Sequence, residues 1–195
     1  SLINSRMATP FEQIRVNAGD QKRSVEWYQR QVQQLAGSIT NPGQVLRSEI
    51  VETSGRIEVG SMYMYLYSAK TENLPYYDKF PLVLPYDTAK GGFYGLNLHY
   101  LPYVLRGRLF EELVKTANNK TIGPDTKMRY NWSLLSQASR FPGVQPTVKR
   151  YLYGQIRSRI VKVNPEDWNT AIFLPVEQFV GADKSKVFRD SRQAV

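Results

Sequence analysis

Residues 80–101 read FPLVLPYDTAKGGFYGLNLHYL. The opening Phe80–Pro85 is short, apolar and fenced by Pro81 and Pro85. Proline cannot donate to a strand ladder, so this segment predicts an edge strand. Ala89-Lys90-Gly91-Gly92 predicts a turn. Phe93–Leu101 then alternates apolar and polar residues again. Together they predict an antiparallel hairpin with a longer loop, around which the rest of the fold is assembled.

Upstream, Ile57, Val59, Tyr63, Tyr65 and Tyr67 fall two apart, with Met62, Met64 and Leu66 between them. That spacing predicts a strand buried partly on both faces. Asn41-Pro42-Gly43 is a turn. Before it, Val25, Tyr28, Val32 and Leu35 share one face of a helix over 20–36, with Asp20 as cap and Gly37 as stop. Residues 1–19 hold no sustained apolar period and are expected to form an extended arm that orders on a partner.

Downstream, Pro102 is a good first helical residue, and Leu105, Leu109 and Leu113 recur every four residues to about Ala117. Asn118–Asp125 is a loop and a candidate sub-boundary. Beyond it Asn131 and Thr147 are candidate caps of two helices. The second would carry the stripe Leu152, Ile156, Ile160 and Val163, with a strand over 156–163 as the alternative. Asn164-Pro165-Glu166-Asp167 predicts a short helix, and Asp183 caps a last basic one. The expected fold is α+β. It comprises a small Tyr-rich antiparallel sheet with flanking helices, an arm over 1–19, and one domain over 20–195 whose C-terminal part is helical and basic.

Charge is unevenly placed. Residues 127–195 hold 12 Lys and Arg against 5 Asp and Glu, an excess of seven out of a net +9 for the 195-residue chain. A like-signed block repels itself and is usually matched by an anionic partner, most often nucleic acid. The candidate phosphate contacts are Lys149, Arg150, Arg157, Arg159, Lys162, Lys184, Lys186, Arg189 and Arg192. No helix-turn-helix, zinc-finger or RNA-recognition signature accompanies them, so backbone binding to double-stranded DNA without base readout is expected. Many of the 13 tyrosines cluster in 63–103. Such a stretch suits an interface or a sheet with one wet side. Tyr63, Tyr65 and Tyr67 are the candidate protein-interface face.

The chain has no cysteine, so disulfides, thiolate metal sites and cysteine nucleophiles are excluded. Its single histidine, His99, lies in an alternating segment and is expected to be a structural hydrogen-bonder. Metal-dependent nucleases need only carboxylates and a lysine. Asp78 and Asp87 flank the proline-fenced strand, and Asp125 follows Pro124, but no companion acid-x-Lys appears. No catalytic residue, metal or cofactor is assigned. No apolar run approaches the roughly 20 residues of a membrane span, and no leader pattern opens the chain. A soluble protein is expected.

The stretch Tyr76–Leu109, with Tyr151–Arg159, Asp167–Gln178 and Lys186–Arg192, resembles virion proteins of T-even-like tailed bacteriophages labelled DNA end protector. The resemblance implies a structural, non-enzymatic head-completion protein at the head or neck, contacting packaged DNA ends. It also implies synthesis in the host cytoplasm, partnership with other virion proteins, and a homo- or hetero-oligomeric assembly. The alternatives are a neck, tail or baseplate subunit with protein contacts only, or a metal-dependent nuclease.

Overall fold

The computed structural model describes residues 10–21, 23–35, 42–46, 52–55, 57–70, 73–115 and 142–194. Three helices come first: α1 (Pro10–Ala18), α2 (Val25–Gln34) and α3 (Pro42–Leu46). Strands β1 (Glu52–Ser54), β2 (Met62–Met64), β3 (Tyr77–Asp78), β4 (Leu82–Ala89) and β5 (Gly92–Asn97) follow, then α4 (Tyr103–Lys115). The remainder supplies β6 (Val148–Leu152), β7 (Ile160–Val163), α5 (Trp168–Ala171), β8 (Phe179–Val180) and α6 (Lys184–Gln193). The main sheet is antiparallel in the order β1-β7-β2-β4-β5-β6, and β3 pairs with β8 in a small second sheet. The α+β class is as expected.

The hairpin forms, but its loop is only Lys90-Gly91, where Gly91 takes a left-handed φ of +72°. β4 is central rather than an edge, lying between β2 and β5. The register shifts between Pro85 and Asp87. The Pro85 carbonyl accepts a hydrogen bond from the Gly60 amide at 3.1 Å. Pro85 stays opposite Gly95, and because N and C=O of one strand residue face the same edge, its missing donor faces Gly60 beyond the end of β2 rather than β5. On the other side β6 comes so close to Gly92 that a Cβ there would lie 1.7 Å from the Tyr151 carbonyl oxygen.

The expected helix after Thr147 is instead β6, and β7 follows the strand alternative. Isolated helix spacing lost to pairing with β5 on one side and with β1 and β2 on the other. Strands from both sides of residues 118–125 therefore interleave in one sheet. The loop over 118–125 and the Asn131 cap lie outside the described residues.

Helix α2 starts later than expected. Ser24, not Asp20, is its cap, with Ser24 Oγ accepting from the Trp27 amide at 3.1 Å. Asp183 caps α6 as expected, accepting from the Lys186 amide at 2.8 Å. Within the expected arm, residues 10–18 are helical. Phe11, Ile14 and Ala18, three and four apart, are buried. Arg15 Nε donates to Asp167 Oδ1 at 2.6 Å, and its Nη2 contacts Oδ2. This segment orders on its own chain. Residues 1–9 lie outside the described residues.

Alternation splits the core in two. Met62 and Met64 face a large apolar cluster with the helices, while Tyr63 and Tyr65 join Tyr67, Val83, Phe93 and Tyr151 on the other face. Tyr65 meets Tyr67, Phe93 and Tyr151 edge-to-face, at centroid distances of 5.8–6.3 Å. Tyr63, Tyr65 and Tyr67 are 0%, 0% and 7% exposed. They are core residues, not the expected interface. Their aromatic area is covered by the chain itself, chiefly by Tyr151 and Phe93.

Candidate nucleic-acid interface

The structure separates the nine predicted cations into those satisfied within the chain and those left facing outward. Lys162 lies 3.5 Å from Glu58, Lys184 2.6 Å from Glu177, and Lys186 3.2 Å from Asp190. Lys162 sits on β7, four strands from β6, about 19 Å at the usual strand spacing. Arg150, Arg157, Arg159, Arg189 and Arg192 are exposed and form no ion pair among the described residues. Arg150 Nη2 donates to the Lys90 carbonyl at 3.0 Å, so the hairpin turn steadies it. Arg157 Nη1 donates to the Gly154 carbonyl at 2.7 Å.

Lys149 is different. It is half-buried on β6, its Nζ 4.0 Å from the centroid of the Tyr100 ring. Burial alone lowers its pKa from the usual lysine value. No carboxylate of the described residues pairs with it.

Beside Lys149 a groove of about 330 Å³ opens between β6 and residues 67–70 and 74–78. Its walls include Tyr67, Lys70, Tyr76, Tyr100, Lys149 and Arg150. Tyr76 stacks on Tyr100 and donates to Asp190 on α6 at 3.0 Å. Ser191 Oγ donates to the Tyr100 carbonyl at 2.6 Å. At Tyr67, the Ser68 amide bonds the Gln155 carbonyl and the Arg157 amide the Leu66 carbonyl. Tyr76 thus joins the groove to α6, and Tyr67 joins it to the loop of Arg157. Lys70, Tyr76 and Tyr100 line this groove but are not among the residues the sequence singles out for binding. Their only signal was the interleaving of Tyr and Lys over 63–103, which carries no information on what faces β6.

One family model matches residues 2–192, that of the phage T4 terminal DNA protecting protein. The chain belongs to that family. The resemblance carried by Tyr76–Leu109 and the closing segments therefore extends over nearly the whole chain. A search of curated proteins gives no match, and neither does a search of solved structures.

In this member of the terminal DNA protecting family, the carboxylate first weighed for metal chemistry is built into the fold. Asp78 Oδ1 accepts from the amides of Phe80 and Gln178 at 3.0 and 3.1 Å. Oδ2 accepts from Asn97 Nδ2 at 3.0 Å and lies 2.8 Å from His99 Nδ1. His99 is thus the structural hydrogen-bonder expected of it. Asp87 is exposed at the bulge and bonds the Thr88 amide. Asp125 lies outside the described residues. Among the described residues no three His, Asp or Glu side chains converge as a metal site. No described helix is long and apolar enough to cross a membrane.

Proposed function

We propose that the chain is a structural component of a tailed-phage particle that holds and shields the ends of packaged DNA at the head or neck, without reading base sequence. It is made in the host cytoplasm and joins other virion proteins in an oligomeric assembly. The observation that carries this reading is the set of five exposed arginines, Arg150, Arg157, Arg159, Arg189 and Arg192, free of ion pairs among the described residues. Membership of a terminal DNA protecting family supports it. Phosphate contacts need only positive charge and reach, and arginine's planar fork suits them. Lys162, Lys184 and Lys186 are drawn toward their own carboxylates and contribute less.

The test is the salt dependence of binding to linear double-stranded DNA. Five neutralised phosphates predict a log–log slope of about −4.5, from roughly −0.9 per phosphate. Replacing Arg150, Arg157, Arg189 and Arg192 by Gln should flatten the slope and weaken binding alike for unrelated sequences. It should also leave DNA ends open to an exonuclease that the parent protein blocks. Unchanged affinity in that variant would overturn the proposal.

A second reading is a neck, tail or baseplate subunit that touches only protein. The observation behind it is a mostly apolar groove of about 730 Å³ lined by Pro102, Tyr103, Val104, Leu105 and Phe188 together with Gln29 and Arg192. Val104 there is 59% exposed. In that case DNA affinity is absent at moderate salt, and Val104→Asp blocks incorporation into particles.

A further inference from the structure

The groove beside β6 has a size and a lining that a duplex cannot use. At about 330 Å³ it lies at the small end of sites for compact ligands, about 300–1,000 Å³. A double helix stays outside such a space, whereas one unpaired nucleotide fits. The walls match that ligand's two chemistries. Tyr76 and Tyr77 are half-buried, so part of each side chain remains accessible to a base. Lys70 and Arg150 are exposed at the groove, and Lys149 is half-buried in it. Among the described residues Asp78 is the one carboxylate in the lining, and four hydrogen-bonding partners already occupy its oxygens.

Lys149 is the strongest sign of an anionic occupant. Among the described residues only the Tyr100 ring faces its ammonium, and a half-desolvated ammonium so placed is poorly compensated. A phosphate oxygen would supply the missing counter-charge. Its neighbourhood also suits an end rather than a continuous strand. The groove connects through Tyr67 to the loop of Arg157 and through Tyr76 to α6. Arg150 in the lining and Arg157 on the adjoining loop are therefore placed to hold the adjoining duplex.

We infer that this groove takes the unpaired terminal nucleotide of a DNA end, with its phosphate on Lys149 and Lys70 and its base against Tyr76 or Tyr77. The inference rests on the proposed binding of DNA ends and adds a chemical feature by which an end is told from continuous duplex.

The experiment compares the full chain's affinity for three internally labelled DNAs at one salt concentration. These are a dumbbell closed at both ends, a blunt duplex, and a duplex with a short single-stranded extension. The extended duplex should bind best, about tenfold tighter than the dumbbell, the order expected for one stacked base. Lys149→Gln combined with Lys70→Gln should abolish that preference, losing more affinity for the extended duplex than for the dumbbell. Lys70 is exposed, so Lys70→Gln alone serves as a variant whose folding is not in question, and it should reduce the preference. A 2-aminopurine placed at the unpaired position should change its emission on binding the parent protein and not the double variant. Equal affinity of the parent protein for all three DNAs, or a preference that survives both substitutions, overturns the inference and leaves the proposed function standing. Absence of binding to any of the three overturns both.

Discussion

Arg106 Nη1 on α4 lies 3.4 Å from Glu177 Oε2, and both side chains are completely buried. The guanidinium also donates to the carbonyls of Leu101, Ile172 and His99 at 2.6, 3.0 and 2.9 Å. Glu177 Oε1 accepts from Tyr103 Oη at 2.9 Å and meets Lys184 Nζ at 2.6 Å. One buried pair thus ties the end of β5, helix α4, the turn after α5 and helix α6 into a single unit.

Removing one partner strands the other. Arg106→Met leaves three buried carbonyls without their donor and Glu177 without its main counter-charge. Breaking a buried pair in this way typically loses about 3–5 kcal/mol. Glu177→Gln keeps the three carbonyl bonds and should lose less. Urea denaturation of the two variants checks the order, and equal small losses would contradict it.

The same pair predicts an acid-sensitive component of stability. Burial pushes the Glu177 carboxyl up, but Arg106, with His99 and Lys184, outweighs it and lowers the pKa from 4.5 to about 2. A carboxylate with a depressed folded-state pKa contributes stability that is fully present above its unfolded value and is lost as pH falls through the folded one. The window therefore runs from about pH 4.5 down to about pH 2, and the full contribution is roughly 3 kcal/mol. The stability difference between the parent chain and Glu177→Gln should shrink across that window. A difference independent of pH would refute the assignment.

Tyr65 and Tyr151 are both buried, yet their hydroxyls should respond oppositely to deletion. Tyr65 Oη has no hydrogen-bond partner among the described residues, whereas Tyr151 Oη accepts from Asn97 Nδ2 at 3.0 Å. Tyr65→Phe should be neutral or stabilising, because an unpaired buried hydroxyl is unfavourable by about 1–3 kcal/mol. Tyr151→Phe should lose about 1 kcal/mol. Tyr65→Ala should lose about 3–5 kcal/mol through the cavity it leaves. Thermal melts of the three variants test this ranking.

Charge reversal on α6 should divide by position. Lys184→Glu places a carboxylate against the buried Glu177, 2.6 Å from the present ammonium, and should lower the melting temperature clearly. Arg192→Glu, at an exposed site without an ion pair among the described residues, should leave it almost unchanged. Equal melting temperatures would show that Lys184 is not part of the buried network.

The α1 helix makes a prediction for hydrogen exchange. With Phe11 and Ile14 buried at 4% and 1% exposure, the amides in the second half of α1 should be protected in the isolated chain, before any partner is added. Fast exchange there would return this segment to the status of an arm.

Local chemistry determined much of this protein. The Gly91 turn, the double-sided burial of Met62–Met64, the helix after Pro102 and the Asp183 cap were all legible, because each rests on neighbours within a few residues. So was the basic excess after residue 127. The helix over 10–18 was not legible, since only Phe11, Ile14 and Ala18 mark its buried face and Val16 points outward at 79% exposure. Long-range pairing decided the rest. β6 and β7 became strands because β5, β1 and β2 offered open ladders, and that pairing buried Tyr63, Tyr65 and Tyr67 against Tyr151. Pairing across the fold also sorted the cations. Lys162, Lys184 and Lys186 look like Arg150, Arg157 and Arg192 in sequence, but the first three meet carboxylates brought from elsewhere in the fold or one turn along α6. Which charges remain to meet a phosphate is a property of those contacts, and only the tertiary structure contains them.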